Sequence, residues 1–264
     1  MTTAPIPFQP RRFRSAAQHY LQGRPAYAQR LFERVAEACE LKPTDTVLDL
    51  GCGPGQLALG FAPFVASVTA VDPEPEMLKI AEQSAANAGF DIHCVTGSSY
   101  DIGPELGRFK IATIGRAFHW MDRADTLKRL DRMIDAEGAV VLFRDQHIEV
   151  TENDWRKSYR ALLDRYSAED DARRMRKSDY WTNHEAVLFD SSFSVLERIG
   201  VIERRLTPVE QIENRMLSLS SVSHAQIGEK ADRMVEELRT MLADFAVDGA
   251  VQEVVESQAL IARR

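Results

Sequence analysis

Cysteine is scarce in this chain of 264 residues: Cys39, Cys52 and Cys94 are the only three. They show neither CxxC nor Cys/His ligand spacing, so no metal site is expected from them. Apolar runs are short, and none approaches the ~20 residues that cross a bilayer. Basic charge is in deficit, with 33 Lys and Arg against 40 Asp and Glu and a net charge of −7. No broad basic face follows from that balance, which argues against a nucleic-acid partner. One stretch inverts the pattern: five arginines and no acid precede Glu33. Mitochondrial presequences share that composition, but a cap whose arginines meet ligand carboxylates is the preferred reading. The Arg11-Arg12 pair is not followed by the apolar stretch an export signal needs. A cytoplasmic protein is expected, and repeats, low-complexity tracts and an evident linker are missing.

What is present concentrates in Thr46 to Gly55, TVLDLGCGPG. Val47-Leu48-Asp49-Leu50 reads as a buried strand, and Gly51, Gly53 and Gly55 let the backbone turn tightly beneath a ligand. A second strand-like run, Ser67 to Val71, ends in Asp72. A glycine turn after one strand and a carboxylate at the tip of the next suit a ligand carrying a ribose diol. Dinucleotide dehydrogenases use GxGxxG, whereas here the spacing is GxGxG and position 56 is Gln. Asp49 would repel a pyrophosphate and attract the ammonium of an amino acid.

The DxGxGxG form with a downstream Asp resembles motif I of the class I S-adenosylmethionine-dependent methyltransferases. Other segments carry the resemblance from about Phe13 to Phe143. Asp72 leads into PEPEMLKIAEQSAANAG, and Gly115-Arg116-Ala117-Phe118-His119-Trp120 follows a strand-like run at 110–114. The latter is similar to the A-x-H-W segment of the small-molecule branch that includes trans-aconitate and antibiotic N-methyltransferases. Tyr20 to Tyr27, YLQGRPAY, resembles the YxxxRPxY of the same branch.

Strand and helix patterns alternate at 46–50, 54–62, 67–72, 75–87, 91–95, 110–114, 122–134 and 139–144, after a helix expected from Pro25 to Cys39. This predicts an α/β fold with a doubly wound, mostly parallel sheet, seven-stranded by the resemblance. A cap over 1–39, a cofactor core over 40–150, a helical lid insertion over 151–190 and closing elements over 191–264 would make one domain. Helices are expected over 153–168, 169–177, 208–218 and 225–245. The last strand, 251–261, would close the sheet antiparallel.

The resemblance implies roles for particular residues. Gly51, Gly53 and Gly55 would admit the cofactor, S-adenosyl-L-methionine. Asp49 would lie near its ammonium, or alternatively serve as a cap. Asp72 would accept both ribose hydroxyls, with Pro73 against the adenine. Ser98 and Ser99 would meet the adenine amino group and ring, in the absence of the usual acid. Arg24, with Tyr20, would close over the methionine carboxylate. Arg116, at a strand end, is counted with the cofactor-binding residues and is a candidate anchor for an anionic substrate, with plain solvent exposure as the alternative. His119 is the candidate catalytic acid or base, with Phe118 and Trp120 as pocket walls. The expected activity is methyl transfer to N, O or C of a small-molecule acceptor by a monomer or homodimer. The alternatives are an NAD-dependent oxidoreductase and a non-catalytic S-adenosylmethionine-binding protein.

Overall fold

Alternating side chains on the strands build two apolar faces. Val47, Val68, Ala70, Ile111 and Val141 join one buried cluster, while Leu48, Leu50, Ala112, Ile114 and Val140 join another. The computed structural model describes residues 17–167, 174–175, 178, 181–219, 221–222 and 224–264. Among these, seven strands form one sheet: β1 Thr46–Leu50, β2 Ser67–Asp72, β3 His93–Thr96, β4 Phe109–Gly115, β5 Ile134–His147, β6 Val195–Pro208 and β7 Ala250–Arg263. Their order is β3-β2-β1-β4-β5-β7-β6. The pairings from β3 through β5 are parallel, and β7 runs antiparallel to both β5 and β6. The final strand is therefore inserted beside β5, and β6 takes the edge.

Helices α1 Ala17–Gly23, α2 Gln29–Ala38, α3 Gln56–Phe61, α4 Pro75–Asn87 and α5 Arg123–Asp131 belong to the first half of the chain. In the second half are α6 Trp155–Tyr166, α7 His184–Phe189, α8 Val209–Leu217, α9 His224–Ile227 and α10 Lys230–Leu242. Pro75 opens α4, and Gly89 at φ +76° ends it with the bonds Gly89 N to Ala86 O and Phe90 N to Ala85 O.

The helix expected over 122–134 ends at Asp131 and the strand expected over 139–144 already begins at Ile134 and runs to His147; two further boundaries differ for visible reasons. The helix expected from Pro25 starts at Gln29, because the carbonyls of Pro25 and Ala26 accept from Arg116 and Arg205 and the Ala28 amide donates to Ser257. The helix expected over 225–245 is split by Gly228 at φ +57°. The helix expected over 169–177 lies outside the described residues apart from Arg174 and Met175.

A third apolar cluster forms a helical layer. Trp155, Tyr159 and Leu162 of α6 pack with Ile212 and Met216 of α8 and Met234 and Leu238 of α10. The layer thus draws on 209–242 as well as on the segment after β5. It also seats α1: a Cβ at Gly23 would fall 2.2 Å from the Arg215 amide nitrogen, so only glycine allows α1 and α8 this close.

Candidate active site

The carboxyl ends of the strands open into a cavity of about 660 Å³, where ligands of open α/β sheets bind. The turn after β1 forms part of its floor. Gly51, Gly53 and Gly55 all have left-handed φ, +68°, +53° and +83°. The amides of Gly51 and Cys52 donate to Val71 O at 2.7 and 3.1 Å, tying the turn to the end of β2. A side chain at Gly51 would also press into Ala117, whose Cβ lies 2.8 Å from the position of an added Cβ.

Asp72 lines the cavity at the tip of β2, with one oxygen accepting from Gly53 N at 2.8 Å and the other from Glu74 N at 2.9 Å. Burial pushes its carboxyl up to about 6; the two amides oppose that shift and the charge of Glu74 adds to it. At neutral pH it is an acceptor-only carboxylate. Pro73, Ser98 and Ser99 line the same wall. The Ser98 hydroxyl donates to Asp101 at 2.6 Å, and its amide donates to the same oxygen at 2.8 Å. Asp101 was not anticipated from sequence; it is three residues beyond Ser98 and braces the loop.

Asp49 and Gly55 do not line the cavity. Asp49 is 1 % exposed and accepts from the Ala58 amide of α3 at 3.0 Å and from the Thr113 hydroxyl at 3.1 Å. It fastens the helix after the glycine turn, the capping alternative. Gly55 is the left-handed residue preceding α3. Burial pushes the Asp49 carboxyl up to about 7, against the lowering effect of its two donors. A raised folded pKa means its stabilising contribution is complete below about pH 4 and is lost as pH rises through 7. Asp49→Asn keeps an acceptor for Ala58 and is expected to lose less stability than the parent between pH 5 and 8. The difference should be on the order of a few kcal/mol by chemical denaturation. Identical pH profiles would contradict a buried titrating carboxyl.

The N-terminal segment roofs the floor. Arg24 stacks over the Tyr20 ring at 5.1 Å, and its Nε is buried without a hydrogen-bond partner among the described residues. Arg116, at φ +55°, is committed differently. Its nitrogens donate to Asp145 at 2.5 Å, Gln56 at 3.0 Å and the Pro25 carbonyl at 2.8 Å, and its plane lies 4.4 Å from the Tyr27 ring centre. Burial opposes ionisation of Asp145, but the Arg116 charge and hydrogen bond hold its carboxyl below the usual range. Arg116 therefore clasps the N-terminal segment to the sheet while also bordering the cavity.

The remainder of the cavity is bordered by the 3-10 turn Phe118–Trp120, where the His119 and Trp120 rings lie 4.7 Å apart. Phe118 is both core and wall, 3 % exposed and edge-on to His184 at 5.1 Å. His184, on α7, is the residue sequence reasoning missed. Arg123 Nη1 lies 3.2 Å from its Nδ1, and a guanidinium has no acceptor, so Nδ1 accepts and the ring proton sits on Nε2. Burial and then the Arg123 charge push His184 down to about 4. It is a neutral donor at physiological pH, unsuited to acting as a base.

The Cys52 thiol is pushed well up by burial, which makes it unreactive. Among the described residues, no group of three or more His, Cys, Asp or Glu is placed to hold a metal ion, and no helix is long and apolar enough to cross a membrane.

Residues 47–138, from β1 to the start of β5, match the methyltransferase domain family. Over those residues the chain is similar to the class I S-adenosylmethionine-dependent methyltransferases. An uncharacterised methyltransferase of Schizosaccharomyces pombe is 28 % identical over 133 residues, 50 % of this chain and 51 % of that protein. The chain thus spans about half the length of that relative. A methyltransferase-fold structure from Anaeromyxobacter dehalogenans covers 91 % of this chain and 97 % of its own at 18 % identity, with a TM-score of 0.59. The S-adenosylmethionine-dependent methyltransferase of Thiobacillus denitrificans, solved with S-adenosyl-L-homocysteine, covers 99 % and 100 % at 12 % identity and a TM-score of 0.51. These likenesses extend the shared fold over 91 % and 99 % of this chain.

Proposed function

We propose that the protein transfers a methyl group from S-adenosyl-L-methionine to N, O or C of a small-molecule acceptor. The observation that carries this reading is the continuity of the cavity. Its cofactor-facing residues and the His119, Trp120 and His184 wall border one space of about 660 Å³, within the ~300–1,000 Å³ of small-ligand sites. Leu163, Ser167, Leu219 and Ser221 of the helical layer also border it, which fits a compact acceptor better than a polymer.

The residues present fit the cofactor. Asp72 offers two oxygens to a diol, the left-handed glycine turn lets backbone approach closely, and the unpartnered Arg24 Nε suits the methionine carboxylate. When bound, the cofactor supplies a methyl already activated by a sulfonium. The protein's part is then to align the acceptor, exclude water and manage one proton. His119 is proposed to take that proton, Trp120 and Phe118 to wall the acceptor, and the neutral His184 to donate a hydrogen bond to it. The helical layer would select the acceptor. A reducing, cytoplasmic setting suits Cys39, Cys52 and Cys94, which are all free thiols.

The test is transfer of labelled methyl to a panel of amines, phenols, enols and carboxylates. His119→Ala is expected to lower turnover about a hundredfold while cofactor affinity stays within about twofold. If neither changes, His119 is scaffold; if no acceptor is labelled, the non-catalytic reading gains.

A further inference from the structure

We propose that Glu74 is a second carboxylate of the ribose wall, accepting one hydroxyl of the cofactor diol while Asp72 takes the other. The inference rests on the cofactor reading above and adds a binding residue to it. Glu74 is 6 % exposed and borders the cavity two residues beyond Asp72. Its Oε2 is buried with no hydrogen-bond partner among the described residues. A carboxylate oxygen left in that state is costly unless a donor meets it.

The local chain explains why the group stays there. Glu74 occupies the position preceding α4, yet its side chain makes no capping bond to the helix. Its amide is fixed on Asp72, and Pro73 and Pro75 restrict the backbone on either side. Glu74 stands at the amino-terminal, positive end of the 13-residue α4. Meanwhile each Asp72 oxygen already accepts one backbone N–H, so part of its acceptor capacity is taken. The ligand groups able to satisfy two adjoining carboxylates are donors: the ribose hydroxyls, the adenine amino group, or the ammonium at the amino-acid end. Placement beside Asp72 at the end of β2 favours the hydroxyls.

Calorimetric titration of the full chain separates these sources. S-adenosyl-L-homocysteine carries both diol and ammonium, 5′-methylthioadenosine keeps only the diol, and the 2′,3′-dideoxy analogue of the homocysteine compound keeps only the ammonium. Glu74→Gln, nearly isosteric, is expected to weaken the first two by about tenfold and to leave the third unchanged. A penalty equal on all three, an unchanged affinity for all, or a loss confined to the compounds with the ammonium would overturn the ribose assignment. Glu74→Asp, which withdraws the carboxylate by one methylene, gives the same pattern if the Gln variant fails to fold. Failure of the parent protein to bind S-adenosyl-L-homocysteine at all would instead sink the cofactor reading, and Glu74 with it.

Discussion

Asp72→Ala is expected to weaken S-adenosyl-L-homocysteine binding at least a hundredfold without unfolding the protein. The carboxylate borders the cavity at the tip of β2, and each of its oxygens holds a backbone amide of the turns around it. A hydrogen bond from a ligand hydroxyl to a charged acceptor contributes about 1.5–3 kcal/mol, and the variant also frees the Gly53 and Glu74 amides that shape the ribose wall, so the combined loss is roughly two powers of ten or more. The pH dependence has a definite sign. With a carboxyl raised to about 6, the acceptor-only form fades as pH falls through that value, so affinity should drop between pH 7 and 5. Asp72→Asn should flatten that dependence. Thermal unfolding of the ligand-free variant is the control, and an unchanged affinity would remove Asp72 from the site.

The second large effect concerns stability. Glu253, fully buried on β7, accepts from Arg215 at 2.8 and 2.9 Å, from Thr207 at 2.5 Å, and pairs with His147 at 2.7 Å. Burial opposes its ionisation, but the Arg215 and His147 hydrogen bonds and the Arg215 charge hold its carboxyl well below the usual range. Glu253→Gln leaves the Arg215 guanidinium buried without its counter-charge and should cost about 3–5 kcal/mol. The depressed carboxyl stabilises the fold above its unfolded pKa and loses that contribution as pH falls, so the variant should be less acid-sensitive than the parent. Because Arg215 Nε also donates to Gly23 O at 3.3 Å, the loss should extend to the seating of α1, and with it Tyr20 and Arg24. Denaturant unfolding reads the first effect and cofactor titration the second. A change below about 1 kcal/mol would show that the network adds nothing beyond packing.

Most of the sheet, and the glycine turn and Asp72 that border the cavity, were legible in the sequence because their signals are local. A strand ending in Asp49, three glycines at alternate positions and a strand ending in Asp72 each encode backbone geometry within ten residues. Even so, residue type did not give direction. Asp49 sits on the face of β1 opposite Leu48 and Leu50, so its carboxylate meets α3 and not the cavity. Arg116, at a strand end, reads from sequence either as an anchor for an anionic substrate or as a solvent-exposed residue. Its partners Pro25, Gln56 and Asp145 lie 91, 60 and 29 residues away, and only the fold assembles them. His184 was invisible for the same reason: its environment is Arg123 and Phe118, brought from the β4–α5 region. The Arg215–Glu253–His147 network joins α8, β7 and β5 and has no short-range signature at all.

The central claim is that the glycine turn and Asp72 hold S-adenosylmethionine. Calorimetric titration of the purified protein with S-adenosyl-L-homocysteine, with NAD as control, tests it most directly. Micromolar binding of the homocysteine compound with no heat from NAD is the predicted result; binding of NAD, or of neither, would contradict it.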